Sequence, residues 1–145
     1  MNIVNSGPRL PSRPCLTLEV VKAIAAAARA EAVRNQWKVS IAIVDDGANL
    51  LYLERLDGAH LASAGVAQGK ASTAMRYRRP SKALEDSINS GRTAFAALQG
   101  ITPLQGAVPL VYEGVMVGAI GVSGVLASDD EQIALAGAKA LNPAG

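Results

Sequence analysis

Two tight turns constrain this chain more than any other feature. Asp45-Asp46-Gly47 separates residues 38–44 from residues 50–55, and Glu113-Gly114 separates residues 107–112 from residues 115–123. The flanking segments are rich in Val, Ile, Leu and Tyr, so each turn predicts a β-hairpin. Strands joined by so short a turn must pair antiparallel, because a parallel pair needs a crossover of about a dozen residues or more.

Helical patterns fill the intervals. Thr17 is placed to cap a helix with Leu18, Val21, Ile24, Ala25, Ala28 and Ala32 on one face, and Asn35 marks its exit. Residues 61–78 are Ala-rich and predict a second helix, ended by Arg79-Pro80. Ser81 then caps a shorter helix containing Leu84 and Ile88, with Gly91 after it and a helical turn around Phe95 and Leu98. Ser128-Asp129-Asp130-Glu131 reads as a capping box before Ile133, Ala136, Ala140 and Leu141, and Asn142-Pro143 as the stop. Helix, hairpin, helices, hairpin, helix is the order of an α+β protein, an antiparallel sheet with helices on its faces. Residues 1–14, with three prolines, form an arm, and residues 15–145 a single domain.

Half of the residues are apolar and 18% are charged, which excludes a disordered chain and favours self-association. The net charge of +2 excludes a nucleic-acid partner of the usual basic kind, and Arg76, Arg78 and Arg79 read as a solvated helix end. No apolar run is long enough to cross a bilayer, so no membrane partner is expected and the cytoplasm is the expected compartment. Cys15 is alone and forms no intramolecular disulfide.

The run G-A-I-G-V-S-G, residues 118–124, is not a phosphate loop. Its spacing is G-x-x-G-x-x-G, it lies inside a strand, and no helix opens at it as a dinucleotide fingerprint requires. The Walker pattern fails at Gly65 and Gly69-Lys70, where three residues separate the glycines and Ala71 follows the lysine. Gly121-Val122-Ser123-Gly124 also lacks the G-x-S-x-G elbow of a serine hydrolase. Glycines inside a strand admit a close neighbour, so Gly118, Gly121 and Gly124 predict a packed helix or subunit ahead of a flat ligand.

Taken in order, V-S-I-A-I-V-D-D-G-A-N-L-L, R-L-D-G-A, Q-G-K-A-S-T-A, G-A-V-P-L-V-Y-E-G and G-A-I-G-V-S-G resemble the GlcG/HbpS-like family, also called the PduO C-terminal or haem-degrading domain family, over residues 16–142. The resemblance implies a profilin-like α/β/α sandwich with a central antiparallel sheet of about five strands, and homo-oligomers from dimer to octamer. It also implies haem or corrinoid as cofactor, although no motif by itself requires either. Many members carry His where this chain has Asn49, which weakens haem chemistry that depends on that position.

His60 is the sole histidine and is the candidate metal ligand or general base; the bland reading is an exposed residue at a helix start. Tyr52, Tyr77, Tyr112, Met75, Met116 and Cys15 are further iron-ligating types, each with a packing role as its alternative. Lys70, Asp57 and His60 are the candidate catalytic groups, and Arg55, Lys70, Gly106 and Ser123 the candidate ligand-binding set, with Arg92 a further cation. Arg and Lys would hold tetrapyrrole propionates or a small acid, while the structural alternative is an ion pair of Asp57 with Arg55 or Lys70. Three functions fit: a tetrapyrrole-binding accessory protein, a metal-independent small-acid isomerase, tautomerase or lyase of a catabolic pathway, and a non-catalytic assembly module.

Overall fold

The computed structural model describes residues 4–143. In chain order the elements are α1 (Leu18–Arg34), β1 (Ser40–Asp45), β2 (Leu50–Arg55), α2 (Ser63–Tyr77), α3 (Ser81–Asn89), a short 3-10 turn (Thr93–Ala97), β3 (Ala107–Tyr112), β4 (Val115–Ser123) and α4 (Ala127–Lys139). Both expected hairpins are present, and they join through β1 and β4 into one antiparallel sheet of order β2-β1-β4-β3.

Four strands form the sheet, one fewer than the resemblance implied. The segment between α3 and β3 adds no strand because it is spent covering α2: the Thr102 N–H donates to Thr73 Oγ1 at 2.8 Å. Alternation along the central strands assigns the two faces. Ile41, Ile43, Ile120 and Val122 pack under α1 and α4, with Ile24, Ala28 and Ile133. Ala42, Val44, Ala107 and Ala119 pack under α2, with Ala67, Ala71 and Ala74. The molecule is therefore an α/β/α sandwich with a large-residue core on one face and a small-residue core on the other.

The small-residue face answers what the strand glycines are for. A Cβ at Gly121 would stand 2.3 Å from the Ala67 carbonyl oxygen and 2.7 Å from the Ala71 nitrogen, so α2 lies with its backbone almost on the strand. On the other face a Cβ at Gly118 would meet Leu16 Cδ1 at 2.7 Å. Both positions serve packing.

Caps were partly legible. Thr17 Oγ1 accepts the Val20 N–H at 3.3 Å, as expected. Ser81 and Ser128 do not cap. Pro80 precedes α3, and Ser81 Oγ instead accepts the Ala107 N–H at 3.0 Å, tying α3 to β3. Leu126 precedes α4 without a side-chain cap, because Asp130 turns back and accepts the Val125 N–H at 3.1 Å.

The edge strand β2 is held from the α1 side. Arg29 donates to both carboxylate oxygens of Glu54, at 2.6 Å from Nε, and the Tyr52 hydroxyl donates to Glu54 at 2.9 Å. The hydrogen bond from Arg29 lowers the Glu54 carboxyl below the ordinary carboxylate range. A depressed folded-state value contributes stability above the unfolded value that is lost as pH falls through the folded one. Glu54→Gln should therefore flatten the acid limb of a stability–pH curve measured by urea unfolding.

Gly121→Val should lower stability by about 1–3 kcal/mol, because the added carbons must displace the α2 backbone and not a flexible side chain. A chemical-denaturation curve at constant slope checks this.

Candidate functional site

The residues singled out in the sequence separate into a buried group and an exposed one. Lys70 lies on the sheet-facing side of α2, where the small-residue packing brings its stem down onto β4. It is 3% exposed, and its Nζ donates to the Val122 carbonyl and to Asp130 Oδ2, both at 3.0 Å. Asp130 is 2% exposed, so the ion pair is withdrawn from water. Burial pushes the Asp130 carboxyl above its ordinary value, against the pull of Lys70 and of the Val125 and Gly124 N–H groups.

Gly106 and Ser123 belong to this buried group. Gly106 has φ +139°, and a Cβ there would stand 2.7 Å from Lys70 Nζ and 2.7 Å from the Val122 oxygen, so the missing side chain makes room for the ammonium. Ser123 is buried on β4, directly beside Val122. The charged partner here is Asp130, a residue of the expected capping box at 128–131. The usable signal was a lysine on the apolar face of an Ala-rich helix, since a buried ammonium demands a carboxylate.

Arg55, Asp57 and His60 are exposed and lie along the path from β2 to α2. Register places Arg55 opposite Ser40, and Ser40 opposite Ser123, on the α2 face of the sheet. Ser40 Oγ lies 2.8 Å from Ser63 Oγ, and the Ser63 hydroxyl donates to the His60 carbonyl at 2.6 Å. This chain of contacts fixes His60 and the first turn of α2 beside the end of β2. Leu53, opposite Ala42, shares the face of Arg55 and is 42% exposed, while Leu61, next to His60, is 81% exposed. The result is an exposed shelf running from the end of β2 to the start of α2, along which Leu53, Arg55, His60 and Leu61 follow one another.

The remaining candidates are dispersed. Met75, on α2, and Met116, on β4, are both buried in the core between that helix and the sheet. Asn49 closes the first hairpin turn, its N–H donating to Asp45 Oδ1 at 2.9 Å. Tyr77 ends α2, and the Arg92 guanidinium stacks on the Phe95 ring at 4.7 Å. Cys15 and Tyr112 meet in a pocket of about 260 Å³ on the α1 side, which is also lined by Leu16, Val20, Val117 and Leu141. Nothing in the sequence pattern brought those two residues together. No helix of the described residues is long and apolar enough to cross a membrane, and no three of their His, Cys, Asp or Glu side chains cluster as metal ligands.

The architecture of the chain is already known in solved structures. A double mutant of HbpS from Streptomyces reticuli superposes with a TM-score of 0.86 at 34% identity, over 97% of each chain. A crystal structure of a PduOC–haem complex superposes with a TM-score of 0.83 at 27% identity, over 89% of this chain and 96% of that one. The chain belongs to the family described as haem degrading protein HbpS-like, whose model matches residues 16–139. Protein GlcG of Escherichia coli K12 is 43% identical over 114 residues, 79% of this chain and 85% of that protein.

Lys70→Met leaves the Asp130 carboxylate buried without its counter-ion and should cost roughly 3–5 kcal/mol. Lys70→Met combined with Asp130→Asn should recover much of that loss, because the neutral amide oxygen still accepts the Val125 N–H. Urea unfolding of the two variants and the parent measures the difference.

Proposed function

We propose that this protein binds haem, or a closely related tetrapyrrole, on the shelf between the end of β2 and the start of α2, as an accessory binding protein. The observations that carry the reading are the exposure of both Arg55 and His60 on the short path from β2 to α2 and a fold shared with a haem complex. The donor chemistry of the shelf fits the group. Leu53 and Leu61 offer apolar surface to a macrocycle, Arg55 offers a planar fork to a propionate, and neutral imidazole is a common iron ligand. The N-terminus of α2 has no side-chain cap and adds positive potential favourable to a second carboxylate. The iron, when bound, supplies the redox and oxygen chemistry; the residues of the shelf bind and orient.

The burial of Lys70 favours binding over small-acid catalysis. Its ammonium is engaged by Asp130 and Val122, on the inner side of the sandwich, whereas Asp57 and His60 face solvent. An acid, a base and an anion clamp therefore do not converge on one substrate. Homo-oligomerisation belongs to the same reading, since the exposed leucines of β2, with Leu61 just before α2, leave apolar surface to be covered.

Haemin titrated into the protein should give a saturable complex with a shifted, sharpened Soret band. His60→Ala should weaken it about tenfold or more, and Arg55→Leu should weaken it less, since a rim charge contributes less than an iron ligand. Cys15→Ser with Tyr112→Phe should leave the spectrum unchanged. A spectrum indifferent to His60 but altered by the Cys15 and Tyr112 changes would move the site to the pocket on the α1 side.

A further inference from the structure

We infer that the N-terminal arm of one copy docks in the apolar pocket on the α1 side of a second copy, with Leu10 as the side chain that enters it. The pocket, of about 260 Å³, is walled by Leu16, Val20, Tyr112, Val117 and Leu141, with Cys15 at the root of the arm. It lies on the face of the sheet opposite α2, so this contact stands whatever the shelf of Arg55 and His60 binds.

The pocket is out of reach of its own arm. Leu16 seats on β4 over Gly118, and in the sheet β4 has β1 on one side and β3 on the other. From Leu16 the arm runs toward β1, where Arg13 Nε lies 2.7 Å from Asp46 Oδ2 in the β1–β2 turn. The pocket extends the other way, to Tyr112 at the end of β3 and Leu141 beyond α4. Pro11 and Pro14 fix their own φ and hold the preceding Leu10 and Arg13 extended, so the chain does not double back over these few residues.

The tip of the arm is apolar and uncovered. Asn5 Oδ1 accepts the Gly7 N–H at 3.0 Å, and Val4, Arg9 and Leu10 line one concavity to which, among the described residues, the domain contributes nothing. Val4 is 88% and Leu10 87% exposed, and apolar surface held off its own domain is removed from water only by another molecule. Charge selects a second copy as that molecule. Arg9 adjoins Leu10 on the arm, while Glu19 precedes Val20 and Glu113 follows Tyr112 beside the pocket. All three are exposed, and none is in an ion pair among the described residues. Residues 14–16 are both the root of the arm and part of the pocket wall, so a two-fold axis beside them sends each arm into the other copy's pocket.

The test uses the full chain carrying Leu10→Cys, with Cys15 on the pocket wall as the second thiol. Mild oxidation should give a covalent dimer on a non-reducing gel, with positions 10 and 15 joined between chains in peptide mass spectra. The parent and the Leu10→Cys, Cys15→Ser double variant, each with one thiol, should give about tenfold less dimer. In a separate variant, Leu10→Asp should speed labelling of Cys15 by a thiol reagent about tenfold and lower the particle mass seen by light scattering. Leu10 is exposed, so that variant should fold as the parent does. A link formed within one chain, or a dimer formed equally by a single-thiol variant, overturns the exchanged arm. Labelling and particle mass unchanged by Leu10→Asp overturn it too, since the pocket is then open or holds another occupant.

Discussion

The close seating of α2 on β4 is the contact from which the rest of this structure follows. An Ala-rich helix reaches backbone contact with a sheet only where the sheet presents no side chain, and Gly121 supplies that absence against Ala67 and Ala71. The energetic return comes from dispersion over many small contacts and from apolar area removed on both sides. A bulkier helix or strand would raise α2 off the sheet. The lysine stem at position 70 would then no longer span the gap to Val122 and to Asp130 on the far side of β4.

That short reach makes the ion pair a link between layers. It joins α2, β4 and the first turn of α4, and Gly106 yields the volume the ammonium occupies. A buried pair of this kind adds little net stability compared with an apolar replacement, because desolvation offsets its attraction. What it does supply is discrimination: neither partner tolerates burial alone, so packings that misplace α2 relative to α4 leave a naked charge in the core. The same burial removes Lys70 from any ligand and leaves Arg55 and His60 as the accessible cation and imidazole on the path into α2.

Much of this architecture was legible because it rests on local chemistry. Hairpin turns, β-branched runs and the Thr17 cap act over a few residues, and strands 107–112 and 115–123 fall where the sequence places them. What was illegible involves choices made at long range. Ser128 has the right neighbours for a cap, yet Asp130 takes the local N–H because Lys70, distant in sequence, fixes its carboxylate. Ser81 is spent on Ala107 for a comparable reason. The same limit split the candidate site: Arg55, Lys70, Gly106 and Ser123 were expected around one cleft, and the carboxylate that holds Lys70 inside, Asp130, lies 60 residues further along the chain. The missing fifth strand is a third case, since the 98–106 segment trades sheet pairing for cover over α2.

The edge strand β2 shows why the exposed group is better placed for recognition than for packing. Its α1-side face is fastened by Glu54 to Arg29 and Tyr52, which immobilises the strand without using its other face. Leu53 and Arg55 are then presented on a rigid support beside a helix start. Exposed edge strands invite unwanted pairing, and a charged residue at the end of β2 is one common defence. Arg55 serves that end whether or not a ligand is present. The leucines do not, for isolated apolar exposure on an edge raises the risk that the arginine lowers. Leu53 on β2, at 42% exposure, and Leu61 before α2, at 81%, are therefore apolar surface that the proposed ligand or a second copy would cover.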